Sequence, residues 1–140
     1  GEYTIPIGLA DIKREGNDVT VVSFGKIIKE AYKAAELLSS EGIECEIIDL
    51  RTVRPMDHKT IIDSVKKTNR LVILEEAWPF GNVSTEITYQ VQSQAFDYLD
   101  APIEKINTAD TPAPYSPVVL QEWLPNSNDV INAVKKVLYK

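Results

Sequence analysis

The four residues Leu71-Val72-Ile73-Leu74 are apolar without interruption. A strand with one wet face alternates apolar and polar side chains, because successive side chains point to opposite faces. A strand that is apolar on both faces needs cover on both, as in a parallel sheet sandwiched between helices. Two further β-rich runs support the same reading, residues 19–24 (Val-Thr-Val-Val-Ser-Phe), ended by Gly25, and residues 45–50 (Cys-Glu-Ile-Ile-Asp-Leu). Between these runs the spacing changes to helical. Ile28, Ala31, Ala35 and Leu38 predict one helix, stopped by Gly42. Ile61, Ile62 and Val65 predict a second, with Asp57 as its N-cap and Lys66-Lys67 at its C-terminal end. Val83, Ile87, Val91 and Ala95 sit four apart on a third. Ser127 or Asn128 is predicted to cap a final helix through Val130, Val134, Val137 and Leu138. Asp129 in its first turn and Lys135, Lys136 and Lys140 near its end suit the helix dipole. Residues 9–14 read as a short edge strand closed by Gly16-Asn17-Asp18, and residues 103–107 as the last strand.

Strands separated by helices imply right-handed βαβ units and a three-layer α/β sandwich. Residues 1–140 are expected to form a single domain, and a hydrophobic share of 44% is enough to build its core. The stretch 108–127 breaks the pattern. It holds Pro112, Pro114, Pro117 and Pro125 and shows no periodicity. A connection that long in a compact domain serves a function or lies on a partner. The competing reading is an extended crossover packed on the domain itself.

Charge and rare residues exclude several classes. A net charge of −6 opposes binding to nucleic acid through a general phosphate field, and suits a basic partner. One cysteine, Cys45, excludes internal disulfides and a cysteine-based zinc cluster, and one histidine, His58, excludes any site needing two. No apolar run is long enough to cross a membrane and no secretory leader pattern opens the chain, so a soluble intracellular domain is expected.

In open α/β sheets, ligands sit at the carboxyl ends of the strands. Those ends read here as Ser23-Phe24-Gly25, Asp49-Leu50-Arg51-Thr52 and Glu75-Glu76-Ala77-Trp78. Neither a GxGxxG nor a GxxxxGK[ST] sequence occurs, and Ser23 lies in no GxSxG elbow. Glu75 and Glu76 leave their strand on opposite faces, which disfavours a shared acid–base role. The preferred reading pairs one of them with Arg51 or Arg54 across neighbouring strand ends. His58, at a helix start, is expected to be neutral and exposed, and Cys45 to be a small core residue. The segment Trp78-Pro79-Phe80-Gly81-Asn82 stands out more. Its Trp and Phe are costly in water and need a surface to pack on, either of this domain or of another. Gly81 is read as allowing a close backbone approach at the next helix start. Aromatic loop, arginines and proline-rich arm suit an interface better than a reaction.

Four segments carry a resemblance. They are residues 46–57 (Glu-Ile-Ile-Asp-Leu-Arg-Thr-Val-Arg-Pro-Met-Asp), 75–81 (Glu-Glu-Ala-Trp-Pro-Phe-Gly), 95–102 (Ala-Phe-Asp-Tyr-Leu-Asp-Ala-Pro) and 110–115 (Asp-Thr-Pro-Ala-Pro-Tyr). The chain resembles the C-terminal domain of transketolase-like thiamine diphosphate enzymes, and more narrowly that of pyruvate dehydrogenase beta subunits, over essentially all of residues 3–140. The resemblance implies a mostly parallel five-stranded sheet with one antiparallel edge strand. It implies a complete enzyme that decarboxylates pyruvate and reductively acetylates a lipoyl group. In that family thiamine diphosphate and magnesium bind between the alpha subunit and the N-terminal domain of the beta subunit. This chain is therefore expected to hold no catalytic, cofactor-binding or metal-binding residue and to be inactive alone. The implied partners are a second beta subunit, the alpha subunit and the peripheral subunit-binding domain of the lipoyl acyltransferase. Arg51, Arg54, Asp57, Glu75, Glu76, Trp78, Pro79, Phe80 and Gly81 are assigned to the subunit interface or to structural motifs. Asp100 and the C-terminal carboxylate of Lys140 are assigned to acyltransferase docking. The implied location is cytoplasmic in a bacterium and the mitochondrial matrix in a eukaryote. Two alternatives stay open: an acetoin or branched-chain 2-oxo acid dehydrogenase beta subunit, and an autonomous α/β module that binds a small anion.

Overall fold

In the computed structural model, which describes residues 1–140, strand β2 (Val19–Ser23) is buried at all five positions. Around it stand β1 (Asp11–Arg14), β3 (Cys45–Asp49), β4 (Leu71–Leu74) and β5 (Glu104–Ile106), in the order β1-β3-β2-β4-β5. Pairing is parallel except between β1 and β3, where Asp11 faces Asp49 in antiparallel register. The five-stranded sheet with one antiparallel edge is thus the expected one.

The helices are α1 (Ile28–Ser40), α2 (His58–Thr68), α3 (Val83–Ala95), α4 (Pro117–Trp123) and α5 (Ser127–Val137). Neighbouring residues of each inner strand face opposite layers, so the core is split in two. Val21, Ile47, Val72 and Leu74 meet α1 and α5, including Ala31, Leu38, Val130 and Val134. Val22, Ile48, Leu71 and Ile73 meet α2 and α3, including Ile61, Val65, Ile87 and Val91. The unbroken apolar run 71–74 is therefore apolar because each face has its own helix layer.

Several local expectations change. The N-cap of α5 is Asn126, neither Ser127 nor Asn128. Its side chain accepts from the amides of Asn128 and Asp129, and Asp129 returns a bond to its backbone, closing a capping box. The stretch 108–127 contains α4, which starts with Pro117 in its first turn and buries no residue. Proline there pre-sets φ and forfeits only an amide that has no helical partner. His58 is half-buried rather than exposed. Asp57 caps α2 as expected, accepting from Thr60 N at 3.1 Å.

Candidate functional site

Strand order reverses at β2, with β3 on one side and β4 on the other, so the loops leaving β2 and β4 diverge at the carboxyl ends. The groups that end these strands point inward. Ser23 is fully buried and its Oγ donates to Leu74 O at 2.9 Å. Glu75 is fully buried while Glu76 is exposed, the opposite facing expected of adjacent strand residues.

Glu75 does not pair with an arginine. Its carboxylate accepts from Ser84 N at 3.0 Å, from Ser84 Oγ at 2.5 Å and from Asn107 Nδ2 at 2.8 Å. Ser84 lies in the first turn of α3, so Glu75 caps that helix from nine residues upstream and meets the positive end of its dipole. The expected Arg–Glu bridge fails for a topological reason. Arg51 follows β3 and Glu75 follows β4, and β2 lies between them, roughly 10 Å of sheet. Arg51 pairs instead with Asp11 on the antiparallel neighbour of β3, and Arg54 is exposed.

The loop 77–82 is held from below by the side chains of Asn82, Lys105 and Asn107. Asn107 Nδ2 donates to Ala77 O as well as to Glu75. Asn82 Nδ2 donates to Trp78 O at 2.6 Å and to Phe80 O at 3.1 Å, and Lys105 Nζ donates to Pro79 O at 2.9 Å. Asn82 stands at the N-cap of α3 yet caps nothing, because its amide serves the loop and Glu75 serves the helix. An asparagine before a helix ordinarily signals a cap, which hides this second use. Gly81 has φ of +65° and no atom within 4 Å of where a Cβ would stand. Its role is a left-handed turn, not the expected close approach.

With its carbonyls satisfied from below, the loop turns its aromatic side chains out. Phe80 is 85% exposed and Trp78 48%. Together with Asp110, Thr111 and Pro112 they line a recess of about 430 Å³. The stretch 108–127 is closed on itself, Ala109 N donating to Trp123 O and Trp123 Nε1 to Thr111 O. It presents Tyr115, Val118 and Val119 to solvent. Loop and arm are joined by Thr108 N donating to Ala77 O at 3.0 Å.

A second surface lies around Asp100, which is exposed, with Arg70 Nη1 3.8 Å from its carboxylate. Tyr139 Oη donates to Asp100 O at 3.3 Å, and Arg70 Nε donates to Val137 O at 3.0 Å. These bonds bring Asp100 and Arg70 together with Val137 and Tyr139 near the end of α5. Cys45 is a core residue whose thiol is pushed up to about 12 by burial, and it has no reactive character.

Residues 8–130 match the family described as transketolase, C-terminal domain. The chain belongs to that family. The chain is similar in structure to a solved split-gene transketolase, an inactive beta4 tetramer, with a TM-score of 0.87 and 25% identity. That likeness covers 98% of this chain and 44% of the other. The chain is 53% identical to the pyruvate dehydrogenase E1 component subunit beta of Rickettsia felis, over 96% of this chain and 41% of that protein. It is 46% identical to the acetoin:2,6-dichlorophenolindophenol oxidoreductase subunit beta of Bacillus subtilis, over 97% of this chain and 40% of that one. The chain thus spans less than half the length of the curated relatives it matches.

Proposed function

We propose that this transketolase C-terminal domain is the assembly and docking domain of a thiamine-diphosphate-dependent pyruvate dehydrogenase beta subunit. The observation that carries the reading is the aromatic loop: its carbonyls are bonded by Asn82, Lys105 and Asn107, and its two large rings face solvent. Such side chains stabilise little where they stand and become anchors once covered by a partner. The covering partners are a second beta subunit and the alpha subunit. No three His, Cys, Asp or Glu side chains gather to hold a metal ion, and every buried side-chain oxygen already has a partner within the domain. In this reading the cofactor and the chemistry belong to the rest of the subunit and to the alpha subunit, and this domain is inactive alone. The cell compartment follows the complex, cytoplasm in a bacterium and mitochondrial matrix in a eukaryote.

The test is the assembly of the full-length subunit with its alpha partner. Phe80→Ser is expected to weaken assembly at least about tenfold, the effect of one truncated anchor. Thermal stability of the separate subunit should hold, because Phe80 buries so little here. Assembly that is unchanged, read by sedimentation at several concentrations, would remove the loop from the interface.

The lipoyl acyltransferase is proposed to dock at Asp100 and Lys140. The loose contact with Arg70 leaves Asp100 free to take a second cation. Asp100→Ala should weaken binding of the peripheral subunit-binding domain and flatten its dependence on ionic strength. Equal slopes for both proteins in a salt titration would take Asp100 out of the site.

A further inference from the structure

The loop between β3 and α2 carries the arginines that drew notice in the sequence, yet its polar atoms face the beginning of the chain. Gly8 N donates to Thr52 Oγ1 at 2.9 Å, and Ala10 N donates to Asp57 Oδ2 at 3.0 Å. Arg51 pairs with Asp11. Gly8 has φ of +81°, and a Cβ there would stand 3.0 Å from Pro55 Cγ. Side chains from one short loop thus hold residues 8, 10 and 11. Asp57 works twice, since it also caps α2 through Thr60. Burial pushes its carboxyl up, but bonds from Thr60 and Ala10 outweigh this and leave it below the usual carboxylate range. The grip extends beyond the strand pairing of β1 with β3, reaching upstream to Gly8, where no strand exists.

Tyr3, Ile5 and Ile7 stand upstream of the grip and Leu9 within it, exposed by 83%, 54%, 79% and 53%. Held at residues 8 and 10, the strap leaves these side chains uncovered by its own domain. Exposed apolar side chains gathered in one short segment call for a cover. We propose that residues 51–57 form a clamp that fixes the direction of the strap, and that the strap's apolar side chains seat against the upstream part of the longer subunit. The identity of that cover rests on the function proposed above, in which the chain is a portion of a subunit more than twice its length, as in the relative it covers to 41%.

The test uses the full-length assembled subunit. Thr52→Val removes the acceptor for Gly8 N and leaves the Asp57 cap intact, and Arg51→Gln removes the pair with Asp11. Thr52→Ser keeps the hydroxyl and serves as the rescue. Hydrogen exchange over residues 3–12 reads the grip. A pair of spin labels, one at Lys29→Cys on the exposed side of α1 and one on the upstream part, reads the relative placement of the two parts. The double variant is expected to exchange at least about tenfold faster over residues 8–11, with a broadened label distance and little change in domain melting. Thr52→Ser should match the parent. Ile7→Ser should broaden the distance while leaving exchange at residues 8–11 unchanged. Faster exchange with an unchanged distance would overturn the proposal, as would a strap that exchanges like an unfolded peptide in the parent. A native protein with no upstream part would sink the assembly reading. A protein that has one, with label distances indifferent to the clamp, would sink the clamp alone.

Discussion

Two glutamates are buried in this domain, one at each end of the sheet, and they are satisfied in different ways. Glu46, near the amino end of β3, is 1% exposed and meets the ammonium of Lys67, which also reaches Glu15. Its surroundings are saturated. Thr20 Oγ1 lies 2.6 Å from Ser64 Oγ and 2.7 Å from Thr68 Oγ1. Gly16 presses its backbone onto Cys45 and Glu46 so closely that a Cβ would stand 2.3 Å from a main-chain carbon. Glu75, at the carboxyl end of β4, is fully buried and has only neutral donors, from Ser84 and Asn107. The first carboxylate is neutralised by a cation and ties strand to helix, so it closes that end. The second is held by a helix amino terminus and an amide that also carries the aromatic loop, so its satisfaction depends on a surface feature. The difference separates an end closed by an ion pair from an end whose buried carboxylate is tied to a surface loop.

The sharpest way to break this contrast is to remove the cation. Lys67→Met leaves Glu46 buried and unpaired. A broken buried pair costs about 3–5 kcal/mol, and about 2 kcal/mol is expected here because Lys67 is itself partly exposed. At this chain length that lowers the melting temperature by about 7 °C. Exchange of the loop amides 76–82 should stay at the parent rate. If the loop loosened as well, the two ends would not be independent.

Glu75→Gln should act at the other end, on stability and loop together. The amide keeps one oxygen for Ser84 N but loses an acceptor for Ser84 Oγ or Asn107 Nδ2, a loss of about 1 kcal/mol. The same substitution should speed exchange in residues 76–82. A variant that melted lower with an unchanged loop would make Glu75 a core contact only.

A smaller effect separates the ends by pH. Burial pushes the Glu46 carboxyl up, but bonds from Lys67, Ser64 and Glu15 outweigh it, so its pKa lies below the usual value. A lowered folded pKa contributes stability that is complete above the unfolded glutamate value of about 4.3 and is lost as pH falls through the folded value. Acid unfolding of the Lys67→Met variant should therefore be shallower than that of the parent. Parallel acid limbs would show that Lys67 does not set the Glu46 titration.

Much of the frame was legible in the residues. The run 71–74 is a strand over the same four positions, and residues 83–95 are a helix over the same thirteen. Both signals are local periodicities, and the core on each face confirms them. Asp57 was legible as a cap because a cap is a contact three residues long. The errors share a cause. Pairing Arg51 with Glu75 required knowing which strands are neighbours, and Asp11, far upstream, proved to be the partner. The helix α4 has no buried face, so it leaves no apolar stripe to read, and only Pro117 marks its start. Asn82 and Asn107 were passed over because an amide announces nothing about which carbonyls it will meet.

The alternation of apolar runs and helical spacing by itself determined a covered, largely parallel α/β sheet, because burial on two faces dictates side-chain type along each strand. The tertiary structure alone decided that β2 separates β3 from β4, that Arg51 turns to the upstream strand, and that Trp78 and Phe80 face solvent on a loop bonded through its carbonyls. Those outcomes depend on contacts between residues distant in the chain, such as Glu75 with Asn107 and Thr52 with Gly8. No local pattern encodes them, since each partner's chemistry is ordinary until the fold brings the two together.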